Sequence, residues 1–495
     1  MACGRLLGLS GGGDYLPPQG GTNSRAGSSG CLRASASYGN LSASASPAGD
    51  CGRAARVPGH HSQQREESQM VEIPMSVQEY ELAMRQLAGR LRRYAELLVR
   101  RGVAIQRGQE LVVTAPVEAA PFARTVVECA YESGASHVTL IWSDDVISRL
   151  EYDNCPIERF EELPSWKAEQ MNSLARAGAA FLWLDGADPD AMLGVDPAKP
   201  AARALASHRQ CKDYRHGVDF GENPWCIGGV PVVAWARKVF PGYSDHEATY
   251  RLWEAILDTA RVVDDDPESA WETHNAALAK SKRQLNEAHY DALHYTSENG
   301  TDLTIGLTSH HVWEGGAART RDGVSFFPNI PTEEVFTSPD RTRADGIVHS
   351  VLPLVHNGSV VRDFWLRFEG GKVVDFGAEQ GEQVLRHILE TDEGASHLGE
   401  CALISKNTPI RQSGLLFYNT LYDENASCHL ALGMGFPDCY EGGMDMTKEE
   451  LLAAGVNESA QHVDFMIGAD DLNVCGITAS GEEVPVFVHG QWSWE

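Results

Sequence analysis

The spacing of apolar and polar positions changes twice along this chain. From Ser76 onward apolar residues recur at helical intervals through Tyr80, Leu82, Leu87, Leu91 and Leu97-Leu98, behind a Ser76/Glu79 capping box. Glu110 to Thr114 then reads as a strand, Ala120 to Glu132 as a helix and His137 to Trp142 as a second strand. A strand, a helix and a strand this closely spaced form a βαβ unit, which implies parallel pairing. Ala180–Leu184 and Pro231–Trp235 predict further buried strands, and 247–262 and 271–287 predict helices. Residues 71–287 are thus expected to form a doubly wound N-terminal α/β domain.

Past residue 288 the period shortens to that of strands. Leu293–Ser297 and Thr301–Ile305 flank Asn299-Gly300, a pair that predicts a hairpin with a type I′ turn. Val348–Val355, Phe364–Phe368, Leu415–Phe417 and Val484–Val488 predict further strands, with few long helices between them. Residues 288–495 are expected to form an α+β catalytic domain. Residues 1–70 differ from both. They are rich in Gly, Ser and Ala, contain no Lys, and set six arginines against Asp14, Asp50, Glu66 and Glu67. Such a stretch predicts a disordered leader or an organelle transit segment, or upstream sequence joined to the frame with Met70 or Met75 as the start.

Charge narrows the function classes. With 69 acidic against 41 basic residues the net charge is −28, and that field repels nucleic-acid phosphates and anionic lipid. No apolar run has the ~18 residues a spanning helix needs. The 11 cysteines are scattered without a CxxC pair, which argues against a disulfide scaffold and structural zinc and suits a reducing, cytoplasmic setting. No GxGxxG or GxxxxGK[ST] loop is present, and outside the Gly/Ser-rich leader, where Gly8 to Gly12 has the spacing, there is no GxSxG elbow.

The unusual polar residues lie in the second half. Glu333 and Glu334 are adjacent, so on a strand they face opposite sides. Glu400 enters the apolar run Leu398–Ile404, where an edge-strand charge is the bland alternative. Asp423, Glu424, Cys428 and His429 crowd one short stretch, and His462 and Asp464, two apart, leave one face of a strand. His310, His311 and Trp313 read as substrate-pocket or structural residues. Histidines with carboxylates are the ligand set of zinc, cobalt or manganese. Two histidines with three or four carboxylates are what a two-metal hydrolytic site requires, with ions ~3.5–4 Å apart around a shared carboxylate and a water.

Four stretches carry a resemblance: Pro328 to Pro339, Leu389 to Ala395, Ser413 to His429, and His462 to Gly468. They resemble the thermophilic-aminopeptidase family of metallopeptidases, the aminopeptidase T and S group, from about residue 76 to the end. That resemblance implies that Glu334, Glu400, His429, His462 and Asp464 bind two divalent metal ions, zinc, cobalt or manganese. It implies Glu400 as the bridge, Glu334 and Asp464 on one ion, and His429 and His462 on the other. Glu424 resembles the family's further acidic residue, a ligand or general base. The implied substrates are peptides with a free N-terminus, and the implied assembly is a homodimer. One departure stands out: Phe436 occupies the place where the family pattern has a tyrosine, whose hydroxyl would help stabilise an oxyanion. The alternative on the same fold is a mononuclear iron ring-cleaving dioxygenase.

Overall fold

The computed structural model describes residues 75–263, 266–356 and 359–495, which fall in one contact unit. The leader expected over residues 1–70 lies outside the described residues. The first helix, Val77–Leu97, opens on the Ser76/Glu79 capping box read from the sequence. A parallel sheet follows from four strands: β1 (Glu110–Pro116), β2 (His137–Ser143), β3 (Ala180–Asp185) and β4 (Trp225–Gly229). Their order is β2-β1-β3-β4, with Asn329–Ile330 added beside β4. The chain therefore leaves β1 in one direction and returns across it to β3 in the other. Right-handed crossovers then put helices on both faces. On one side Val77–Leu97 packs against Ala120–Glu132 and Asp245–Thr259, and elsewhere Ser165–Arg176 packs against Lys212–Asp219.

One strand expectation fails here. Pro231–Trp235 is not a strand; Val233–Val239 is a helix that buries Trp235 and Ala236. The strand lies just upstream, in Trp225-Cys-Ile-Gly-Gly, where two glycines weaken the strand pattern. Their smallness has a cause: a Cβ on Gly229 would sit 2.0 Å from the Tyr422 hydroxyl.

The remaining strands make two antiparallel sheets and a two-stranded ribbon. The larger sheet has nine strands and begins with the hairpin Ala292–Thr296 and Asp302–Leu307. The hairpin forms where expected, but its turn is not type I′. Gly300 has φ +101° and Asn299 is not among the positive-φ residues, and a five-residue loop, Ser297 to Thr301, joins the strands. Leu415–Phe417 is likewise not a strand; the Phe417 amide donates to the Asp423 carboxylate instead of to a ladder. The smaller sheet has four strands in the order Val335–Thr337, Leu398–Leu403, His429–Gly433, His462–Met466. The fold is a mixed α/β one, and the run from Asn329 to His349 contributes in turn to the parallel, four-stranded and nine-stranded sheets.

Candidate metal centre

Register builds the site. Across the four-stranded sheet Glu400 pairs with Ala431 and Ala431 with Asp464, while Gly433 pairs with His462. Directly paired residues share a face, so Glu400, His429, His462 and Asp464 project together, separated by small Ala431 and Gly433. The other face carries Cys401, Leu403, Leu430, Leu432, Val463 and Phe465 into a hydrophobic core. A register irregularity between Leu398 and Glu400 inserts Gly399 as an extra residue. Leu398 thereby joins the core while Glu400, two residues on, turns to the polar face. A Cβ on Gly399 would lie 2.3 Å from the Met434 carbonyl, so only glycine fits the bulge. Glu334 arrives from the residue before the first strand.

Two groups of potential ligand atoms result: Glu334, Glu400 and His429, and Glu400, His462 and Asp464. Glu400, fully buried, belongs to both. Its Oε1 lies 3.8 Å from His429 Nε2, and its Oε2 lies 3.0 Å from His462 Nε2. His429 Nε2 also faces Glu334 at 3.7 Å, and His462 Nε2 faces Asp464 at 3.1 Å. The separations around His429 Nε2 are too long for hydrogen bonds and leave room for an ion at ordinary ligand distances of ~2.0–2.2 Å. This grouping gives each histidine its own carboxylate, in place of the expected pairing of Glu334 with Asp464 and of His429 with His462.

The second nitrogens of both rings are fixed by backbone. His429 Nδ1 lies 3.0 Å from the Glu424 carbonyl, and His462 Nδ1 lies 2.7 Å from the Met434 carbonyl. Carbonyls only accept, so each Nδ1 donates its hydrogen and each Nε2 is turned to the carboxylates, the arrangement of a metal-ligating histidine. Burial disfavours the charged rings, but the carboxylates outweigh it. Glu400, Asp464 and Glu334 hold His429 up to about 9, and Asp464 and Glu400 hold His462 up to about 10. Acids that hold a proton there equally favour an ion in its place.

Glu424 is buried on the turn Glu424–Ala426, but its carboxylate joins neither ligand group; what touches His429 is its backbone carbonyl. Glu333 and Glu334 do face apart. Glu333 makes a buried two-pronged pair with Arg261 at 2.5 and 2.9 Å, and its amide donates to Asn425 Oδ1 at 2.7 Å. Sequence reasoning missed Asn425 and Arg261, because their value lies in contacts made far along the chain. His311 is a structural residue, buried, stacked on His289 and bonded through Nδ1 to the Thr308 carbonyl; His310 is exposed. Trp313 is wholly buried in the core. Phe436 packs 4.9 Å from the His462 ring and 5.6 Å from Phe336, so that wall of the site carries no hydroxyl.

Three acids and two histidines gathered at one sheet face could hold metal ions, and the match to known proteins says which family this chain belongs to. Residues 87–492 match the thermophilic metalloprotease family, M29. The chain belongs to that family. Aminopeptidase AmpS of Bacillus subtilis (strain 168) is 45% identical over 405 residues, covering 82% of this chain and 98% of that one. The solved structure of wild-type AmpT from Thermus thermophilus superposes with a TM-score of 0.77 at 40% identity, covering 82% of this chain and all of that one. A dioxygenase from Pseudomonas putida KT2440 aligns at only 9% identity and a TM-score of 0.40, too distant to carry the ring-cleaving alternative. This member of the thermophilic metalloproteases is therefore a metal-dependent hydrolase, and its curated relatives are aminopeptidases. Among the described residues no helix is long and apolar enough to cross a membrane.

Proposed function

We propose that the chain is a cytoplasmic aminopeptidase that works with two divalent ions, zinc, cobalt or manganese, and removes N-terminal residues from peptides. The observation that carries this reading is Glu400, one carboxylate with an oxygen turned to each histidine. In this reading Glu334 and His429 would hold one ion and His462 and Asp464 the other, with Glu400 in reach of both. The ions, when bound, supply the Lewis acidity that activates a water and polarises the scissile carbonyl. The chain's own residues do the rest. The carbonyls of Glu424 and Met434 fix both rings, and the Arg261–Glu333–Asn425 contacts hold Glu334 and the Glu424 turn in place. Glu424 takes a proton from the attacking water and returns it to the leaving amine. Phe336 and Phe436 keep one side of the centre dry. The eight cysteines among the described residues are all free thiols, which suits the cytoplasm.

The test is hydrolysis of aminoacyl chromogenic substrates after chelation and re-addition of zinc, cobalt or manganese, with metal content per chain measured alongside. Activity should vanish with the metal and return with two ions per chain. Activity indifferent to chelator would overturn the proposal. Glu424→Gln should leave metal content unchanged while kcat collapses, whereas a loss of metal in that variant would make Glu424 a ligand.

A further inference from the structure

Two cavities meet at the metal centre and share a wall made by Phe436 and Asp438. The larger, about 610 Å³, is lined by His462 on the centre's side and by the helix residues Leu205 and Arg215 opposite. The smaller, about 50 Å³, is lined by Glu334, Glu314, Trp225 and Phe336. Each cavity therefore touches a different ligand group: His462 faces one and Glu334 faces the other. An exopeptidase has to divide its substrate in this way, with a single residue on one side of the scissile bond and the rest of the chain on the other.

Asp438 is the unexplained group. Both of its carboxylate oxygens are inaccessible to solvent, and no other described residue donates a hydrogen bond to either. Burial pushes its carboxyl up to about 7, and nearby Glu314 adds to the rise. Glu314 itself is matched by Lys282 at 3.0 Å, and Asp438 has no such cation among the described residues. A buried carboxylate without a donor is strongly unfavourable, and it either takes up a proton or is completed by a ligand. The small cavity holds room for only about three to five water-sized groups, which fits an amino group and little more. With Glu314 offset by Lys282, Glu334 and Asp438 give it the sign that attracts a cation.

We propose that Asp438 receives the substrate's α-ammonium group in the small cavity, while the residues beyond the scissile bond lie in the large one. The inference rests on the aminopeptidase reading and gives it a residue for its end-specificity. The test uses the metal-loaded enzyme and calorimetric binding of alaninamide against propionamide, which differ only by the amine. The wild-type chain should favour alaninamide by about tenfold or more, the size of one charge-assisted hydrogen bond. Asp438→Asn should abolish that preference and raise KM for aminoacyl substrates with little change in metal content. Asp438→Glu should restore part of it. If Asp438→Asn does not fold, Asp438→Ser serves as the uncharged variant. An uncharged variant that keeps the wild-type preference for the amine overturns the inference. Binding needs no turnover, so the two readings fail separately. A chain without peptidase activity that still loses its amine preference on Asp438→Asn upholds the inference and sinks the function. An active chain with an unchanged preference does the reverse.

Discussion

The carboxyl ends of the parallel strands and the polar face of the four-stranded sheet make an instructive pair. In open α/β sheets the crevice beyond the strand ends, where the order reverses, is the usual place for a ligand. Here that crevice is filled by the chain itself. Asp185, at the end of β3, accepts from Asn419 at 2.7 Å, and the Tyr94 hydroxyl donates to the Gly229 carbonyl. The Trp235 indole donates to the Phe417 carbonyl at 2.5 Å. The segment seated there, Phe417 to Asp423, leads directly to Glu424 and His429. The parallel layer thus serves as the seat for a loop, while the candidate ligands sit in or at the start of strands of an antiparallel sheet, Glu400 and Asp464 within them and His429 and His462 as their first residues, where backbone pairing holds side chains more firmly than loops do.

That division of labour can be broken from either side. The largest effect should come from Glu400→Ala, which removes the acid shared by both ligand groups. Both ions and essentially all activity should be lost, well beyond the ~10–100-fold typical of changes to groups that only orient ligands. Metal analysis and kcat decide it, and full double occupancy would refute the shared role. Glu334→Ala should weaken only the ion on His429. Next comes Ala431→Leu, which removes no ligand but fills the gap between Glu400 and Asp464 in the register. Metal affinity should fall by roughly 100-fold, with an overpacking penalty of about 1–3 kcal/mol.

On the parallel side, Gly229→Ala drives a Cβ to 2.0 Å from the Tyr422 hydroxyl. Thermal unfolding should report a loss of about 3 kcal/mol while the ions stay bound, because the ligand face is built elsewhere. The smallest effect concerns a histidine outside both regions. Burial pushes His311 down to about 4, so the folded chain keeps it neutral while the unfolded chain takes up a proton near 6.5. Stability from this group is complete above pH 6.5, falls as pH drops towards 4, and is constant below that. His311→Gln should therefore lose about 2 kcal/mol less than the wild-type chain between pH 7.5 and pH 5, measured by denaturant unfolding.

The same contrast explains what was legible in the sequence. Ala120–Glu132 shows in a linear pattern because its buried face repeats at a helical period, and β2 shows as a short, largely apolar run, Val138 to Trp142. The candidate ligands drew notice because acids and histidines inside apolar runs are unfavourable without a function, and the family resemblance joined them into one set. β4 escaped because Gly228-Gly229 answers to Tyr422 and Leu98, close neighbours only in the folded chain. The turn at Asn299-Gly300 escaped because loop length, not the dipeptide alone, selects turn type. The grouping of acids with histidines in the structure departs from the expected pairing for a related reason. Which acid meets which histidine depends on the bulge at Gly399 and on cross-strand register, and neither is encoded within a single strand. Asp438 gave no signal at all: one acid after Phe436-Pro437 becomes unusual only once both its oxygens are seen to be sealed.

The run from Asn329 to His349 makes the metal a matter of folding as well as of chemistry. Asn329 and Ile330 pair with Ile227 and Gly228 of the parallel sheet, Glu334 follows, and Val335 to Thr337 pair with Leu403, Ala402 and Cys401. Pro339 then enters the nine-stranded sheet. A continuous strap through three sheets cannot come loose at one of them without slackening at the others. An ion that Glu334 would grip in the folded chain and not in the unfolded one would therefore tighten the whole strap, and its binding free energy would be shared as cooperativity with the parallel and nine-stranded sheets, which carry none of the candidate ligands.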